Sequence, residues 1–199
     1  RMIEQMLERM DRIGVEQSIS FPGSNPLADD VVKGNEYLEN VTRPHHARLK
    51  GMISFHPAYA DALSAKLDAF FARDFFVGFK ILCSYWNVPV TDPVFTPAWE
   101  YADRHRLPIL LHTWGGGYDS PGLLAGIVKR HPDATFILGH SGGNDGGRKE
   151  AEALALDNAN VVLEWCGSFC SRRLWEETIR KVGNRRIVFG TDAVYHSID

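Results

Sequence analysis

Nowhere in the 199 residues is there an apolar run approaching the roughly 20 residues that a membrane-spanning helix needs. No charged leader with an apolar centre opens the chain, so no signal peptide is expected. Charge of one sign is missing too: 22 Lys and Arg face 25 Asp and Glu, interspersed, for a net charge of -3. That excludes the basic stripe a nucleic-acid partner would require. Cysteine is scarce. Cys83, Cys166 and Cys170 are an odd number in a domain of this size, which fits reduced thiols in a cytoplasmic protein better than a disulfide framework. The spacing of Cys166 and Cys170 could hold metal, but no second Cys/His pair sits nearby. No Gly-x-Gly-x-x-Gly follows an early strand, so a dinucleotide-binding sheet has no support. The expected partner is a small-molecule substrate, with a homo-oligomer allowed for and neither nucleic acid nor membrane.

What remains is a single domain over 1–199, with 44% hydrophobic and 24% charged residues, enough chain for a sizeable core. Apolar residues at helical spacing mark 2–13, 59–73 and 172–182, with further helices expected near 35–41, from Thr96-Pro97, from Ser120-Pro121 to His131, and over 148–158. Between them lie short runs rich in β-branched and aromatic residues: 15–21, 51–56, 75–83, 108–112, 135–140, 161–165 and 187–192. Seven helices alternating with seven strands predict an α/β fold with parallel strands buried under helices. Two architectures compete, an open doubly wound sheet and a (β/α)8 barrel. The pattern starts on a helix and stops on a strand, so the barrel reading expects its first strand before Arg1 and its last helix after Asp199.

Three of the strands end alike. "LPILLH" finishes on His112, "TFILGH" on His140 and "IVFGTD" on Asp192. In a barrel, groups at the carboxyl ends of several strands converge on one site. Imidazole nitrogen and carboxylate oxygen are the donors that a divalent metal such as zinc takes. A catalytic site keeps one position open for water, whose pKa the metal lowers. A nearby carboxylate can then take a proton, and an imidazole can donate one.

The stretches "MLERMDRIGVEQSISFP", "VGFKIL", "DPVFTPAWEYADRHRLPILLHT", "HPDATFILGHSGG", "NVVLEW" and "RIVFGTDA" together cover nearly all of the chain. Through them it resembles the metal-dependent amidohydrolase superfamily, in the branch that includes aminocarboxymuconate-semialdehyde decarboxylase. The resemblance implies strands two to eight of a (β/α)8 TIM barrel. It implies a metal ligand in His112, a catalytic residue or second ligand in His140, and in Asp192 a residue that binds metal and handles protons. The family's His-x-His motif on strand one has no counterpart after Arg1. Lys80 stands where some amidohydrolases carry a carboxylated lysine bridging two metals. Its expected state here is an ammonium facing substrate or a carboxylate.

Other residues have plainer readings. Glu164 either faces the pocket or pairs with a cation, because an unpartnered buried glutamate is costly. Trp114 is a core residue, part of a lid or a substrate contact. His56, His105 and His131 are expected to be structural, His45 and His46 solvated, and His196 at the pocket rim. Arg172 and Arg173 read as a solvated helix start, and "SGGNDGG" as a tight turn or a mobile loop. The functional expectation is a metal-dependent hydrolase acting on an amide, ester or lactone through metal-activated water, with zinc as the metal. The alternatives are a metal-dependent non-oxidative decarboxylase of a small unsaturated or aromatic acid, and a metal-free barrel that only binds a ligand. On the first reading His140 and Asp192 are catalytic, His112 and Asp192 hold metal, and Lys80, Trp114 and Glu164 contact substrate.

Overall fold

In the computed structural model the described residues are 2–22, 30–167 and 171–192. They form one seven-stranded sheet in the order β1-β2-β3-β4-β5-β6-β7, with every neighbouring pair parallel. The strands are β1 (Ser18–Ser20), β2 (Leu49–Ser54), β3 (Phe76–Ile81), β4 (Pro108–His112), β5 (Thr135–Gly139), β6 (Val161–Trp165) and β7 (Ile187–Phe189). This order decides between the two architectures. A doubly wound sheet reverses direction at a switch point. Here each strand lies beside its predecessor without reversal, as in a winding barrel. Among the described residues β1 and β7 do not pair with each other.

The α-helices are α1 (Met2–Ile13), α2 (Val31–Thr42), α3 (Ala60–Ser64), α4 (Leu67–Phe71), α5 (Cys83–Trp86), α6 (Thr96–His105), α7 (Ala125–Arg130), α8 (Asp145–Asp157) and α9 (Arg172–Val182). Two expectations change. The helix expected over 59–73 breaks into a 3-10 turn and the two short pieces α3 and α4. His46 is half-buried rather than solvated: its ring stacks on Phe75 at 4.4 Å, and its Nε2 lies 3.2 Å from the Glu39 carbonyl oxygen. An imidazole there covers apolar surface that a solvated side chain would leave open.

Strand alternation sorts the side chains into two faces. Register places Phe79 beside Ile109, Ile109 beside Phe136 and Leu138 beside Leu163. Ile81 and Leu111 on the same face of β3 and β4 are buried with them under the helices. The alternate residues, Ser54, Lys80, Leu110, His112, Ile137, Val162 and Glu164, share the opposite, inner face. Gly78 also lies on that face. A Cβ there would stand 2.3 Å from the Pro108 carbonyl oxygen, so a larger residue would push β3 away from β4.

Candidate active site

The inner face becomes polar toward the carboxyl ends of the strands. Lys80, one residue before the end of β3, is 5% exposed. Burial pulls its ammonium down to about 8, against the opposing fields of Glu164, Cys166 and Asp192. Its Nζ sits 4.8 Å from the centre of the Phe21 ring, a cation–π contact. On β2 at the same level stands Ser54, whose buried Oγ has no hydrogen-bond partner among the described residues.

His112 ends β4 with its ring held at one nitrogen. Nδ1 lies 2.8 Å from an Asp119 carboxylate oxygen and 3.3 Å from Ser84 Oγ. Asp119 is 3% exposed. A carboxylate on Nδ1 keeps the proton there and leaves Nε2 as the nitrogen with a free lone pair, the arrangement that orients a metal-ligating imidazole. The Trp114 ring stacks near-parallel to His112 at 5.9 Å and meets His140 edge-on at 5.2 Å. The two histidine rings are 4.9 Å apart.

His140 follows β5 with φ +62, and Ser141 with φ +48. Side chains seldom take this left-handed backbone, and it persists only where surroundings fix it. Here Glu164 Oε2 accepts the His140 backbone N–H, Ser141 Oγ donates to the Glu164 carbonyl, and Thr113 Oγ1 accepts the Gly142 N–H. Gly142 has φ +87, and a Cβ there would stand 2.2 Å from the Gly147 carbonyl. The glycines of "SGGNDGG" thus make the expected tight turn, and it aims the His140 ring inward. Burial, then the His112 ring and the Lys80 ammonium, pull His140 down to about 4, with Asp192 opposing. The imidazole is therefore neutral at neutral pH. Burial also pushes the Glu164 carboxyl above the ordinary carboxylate range.

Asp192 takes a left-handed backbone as well, φ +52. Its carboxylate, one ring nitrogen of His140 and Cys166 Sγ all lie within 4.8 Å of one another. Cys166 Sγ is 3.2 Å from His140 Nδ1 and donates to Glu164 Oε2 at 3.0 Å. This nitrogen, sulfur and oxygen set suits a divalent cation.

The structure thus brings together His112, His140, Asp192, Lys80, Glu164 and Trp114. Of its two sequence readings Glu164 takes the first: it faces the inner surface, and it feels the Lys80 charge without forming an ion pair with it among the described residues. His56 is structural, its Nδ1 capping a turn by accepting the Ala58 N–H. Arg172 and Arg173 are exposed and pair one turn along α9 with Glu176 and Glu177. His196 and Cys170 lie outside the described residues. Two members of the site were not legible beforehand. Asp119 carries no strand signal, although a carboxylate a short loop after a strand-end histidine is a pattern worth testing. The sequence offers Cys166 as a reduced thiol, or as a metal donor together with Cys170, and does not place it beside His140 and Asp192.

A family model described as Amidohydrolase matches residues 28–197. Among curated proteins none matches significantly. Solved structures share the fold. The 5-carboxyvanillate decarboxylase of Sphingomonas paucimobilis superposes with a TM-score of 0.75 at 15% identity, over 98% of this chain and 73% of that one. The 2,6-dihydroxybenzoate decarboxylase of Rhizobium gives 0.74 at 19%, over 98% and 78%. The dihydroxybenzoic acid decarboxylase of Polaromonas sp. JS666, with bound manganese and the inhibitor 2-nitroresorcinol, gives 0.73 at 17%, over 98% and 76%. No helix among the described residues is long and apolar enough to cross a membrane.

Proposed function

The chain belongs to the amidohydrolase family, and on that premise we propose that it carries out metal-dependent, non-oxidative decarboxylation of a small aromatic or unsaturated acid. One observation carries this reading. Three basic side chains, Lys80, His112 and His140, meet Asp192 on one inner face, in a fold shared with three proteins named as aromatic-acid decarboxylases. A carboxylate entering this face would meet positive charge and neutral imidazole at the ends of β3 to β5.

The residues divide the work. Lys80, an ammonium below about pH 8, binds the anionic substrate with little water to compete. Trp114 offers an aromatic face beside both histidines. His112, oriented by Asp119, and Asp192 are the residues we assign to the metal, with zinc as the ion. When bound, it supplies a Lewis acid that draws electron density from the substrate. In the reaction the carbon–carboxylate bond breaks, its electron pair stays on the carbon, and a proton carried by Asp192 takes the place of the departing carbon dioxide. His140, neutral at neutral pH, supports that proton transfer.

The test is a panel of hydroxybenzoic acids beside a panel of lactones, esters and amides, each incubated with metal-replete protein. Carbon dioxide release from at least one acid, abolished by a chelator and restored by a divalent metal, is the expected result. Turnover confined to the lactones, esters or amides would replace this reading with the hydrolytic one, which the family description favours.

A further inference from the structure

We propose that Cys166 is itself a metal ligand, so that His140, Cys166 and Asp192 form a nitrogen–sulfur–oxygen face selecting a borderline-soft cation such as zinc. The inference rests on the metal-dependent reading above; it adds a donor of a different chemical kind and moves His140 from the proton-transfer role given there into the metal's shell. Three neighbouring strands each deliver one donor at the same end: His140 directly after β5, Cys166 directly after β6, and Asp192 beyond β7. Strand alternation places position 166 on the same face as Glu164, two residues earlier.

The spacing is that of ligands around one ion. Tetrahedral zinc with Zn–S of about 2.3 Å and Zn–N of about 2.0 Å sets its donors roughly 3.5 Å apart. Cys166 Sγ and His140 Nδ1 are 3.2 Å apart, and all three donor atoms fall within 4.8 Å. Ligation replaces the thiol S–H bond with a sulfur–metal bond. The released proton has an acceptor in place, since Glu164 Oε2 lies 3.0 Å from Sγ. A thiolate favours zinc over the harder manganese, which prefers carboxylate and water. Cys166 would therefore set metal identity at a centre whose remaining donors, imidazole and carboxylate, discriminate less.

Cobalt(II) reports the sulfur directly, because a cobalt–thiolate bond gives a charge-transfer band in the near ultraviolet that nitrogen and oxygen ligands do not. Metal-depleted protein is titrated with cobalt and, separately, with zinc. The wild type should show the band, Cys166→Ser should lose it, and Cys83→Ser should keep it. Zinc affinity of Cys166→Ser should fall by at least the ~10–100-fold that even an outer-shell partner costs. Should Cys166→Ser fail to fold, X-ray absorption of the zinc-loaded wild type decides alone: a sulfur scatterer at about 2.3 Å is expected. Cobalt binding without the band, a band that survives Cys166→Ser, or a zinc shell of nitrogen and oxygen only would overturn the ligation while leaving the metal-dependent reading in place. Failure to bind either metal would overturn both.

Discussion

At Lys80 a positive charge is held almost out of water, with no carboxylate in ion-pair range among the described residues. Burial lowers its pKa from 10.5 to about 8. The charged form is therefore the costly one. The penalty is full below about pH 8 and is relieved as pH rises from there toward 10.5, where the unfolded chain also loses its proton. Lys80→Met should accordingly raise stability at neutral pH, by on the order of 3 kcal/mol at most, and abolish turnover. A urea titration at pH 7 beside an activity assay checks both; a destabilised Met variant would mean that Lys80 serves the fold. Wild-type kcat/KM should fall as pH rises through about 8, where the ammonium is lost. Asp119→Asn keeps an oxygen for the His112 Nδ1–H but removes the charge. It should lower metal affinity or turnover by ~10–100-fold with little change in stability, as read by metal titration and kcat/KM. The two residues differ in legibility for a physical reason. Lys80, His112, His140 and Glu164 occupy strands or their ends, where alternation fixes the face. Asp119 reaches His112 through a loop, whose path no periodicity announces. The left-handed backbone at His140 was equally hidden, because the turn that follows it is held by Glu164 and Thr113, which lie far away in sequence.

Between elements, a polar clamp joins α8 to α9 behind the site. Glu152, 2% exposed, accepts from Arg148 on its own helix and from Thr178 and Lys181 on α9. In Glu152→Ala, Thr178 loses its acceptor and Arg148 keeps only the longer contacts to Thr178 and Glu177. Breaking a buried pair from one side costs about 3–5 kcal/mol, and we expect the thermal midpoint to drop accordingly in calorimetry. A change too small to measure would show that the clamp is solvated in practice. The strands and the long helices were readable because each carries a clean period, as in α9, where Leu174 and Trp175 pack on the core. The break between α3 and α4 was not, because Leu63, Leu67 and Phe70 keep helical spacing across it. The short helix α5, directly after β3, brings Ser84 and Tyr85 against His112. Only tertiary contact specifies a single helical turn of this kind.

Across the whole molecule, the unreversed strand order gathers the site. Because every strand runs parallel and adds beside the last, all carboxyl ends open on one rim, and residues from Lys80 to Asp192 face one another although 112 positions separate them in sequence. That arrangement was legible from the repeated strand endings alone. Which donors stand closest was not, since it depends on curvature and register: the tight trio is His140, Cys166 and Asp192, whereas the sequence paired His112 with Asp192. The central claim is that this rim binds a divalent metal at which the chemistry occurs. Diffraction from metal-loaded crystals, recorded at the absorption edge of zinc, tests it most directly. One strong anomalous peak is expected at the carboxyl ends of β4 to β7, within bonding distance of Asp192 and at least one of His112 and His140. A peak elsewhere on the surface, or none in protein that retains activity, would contradict it.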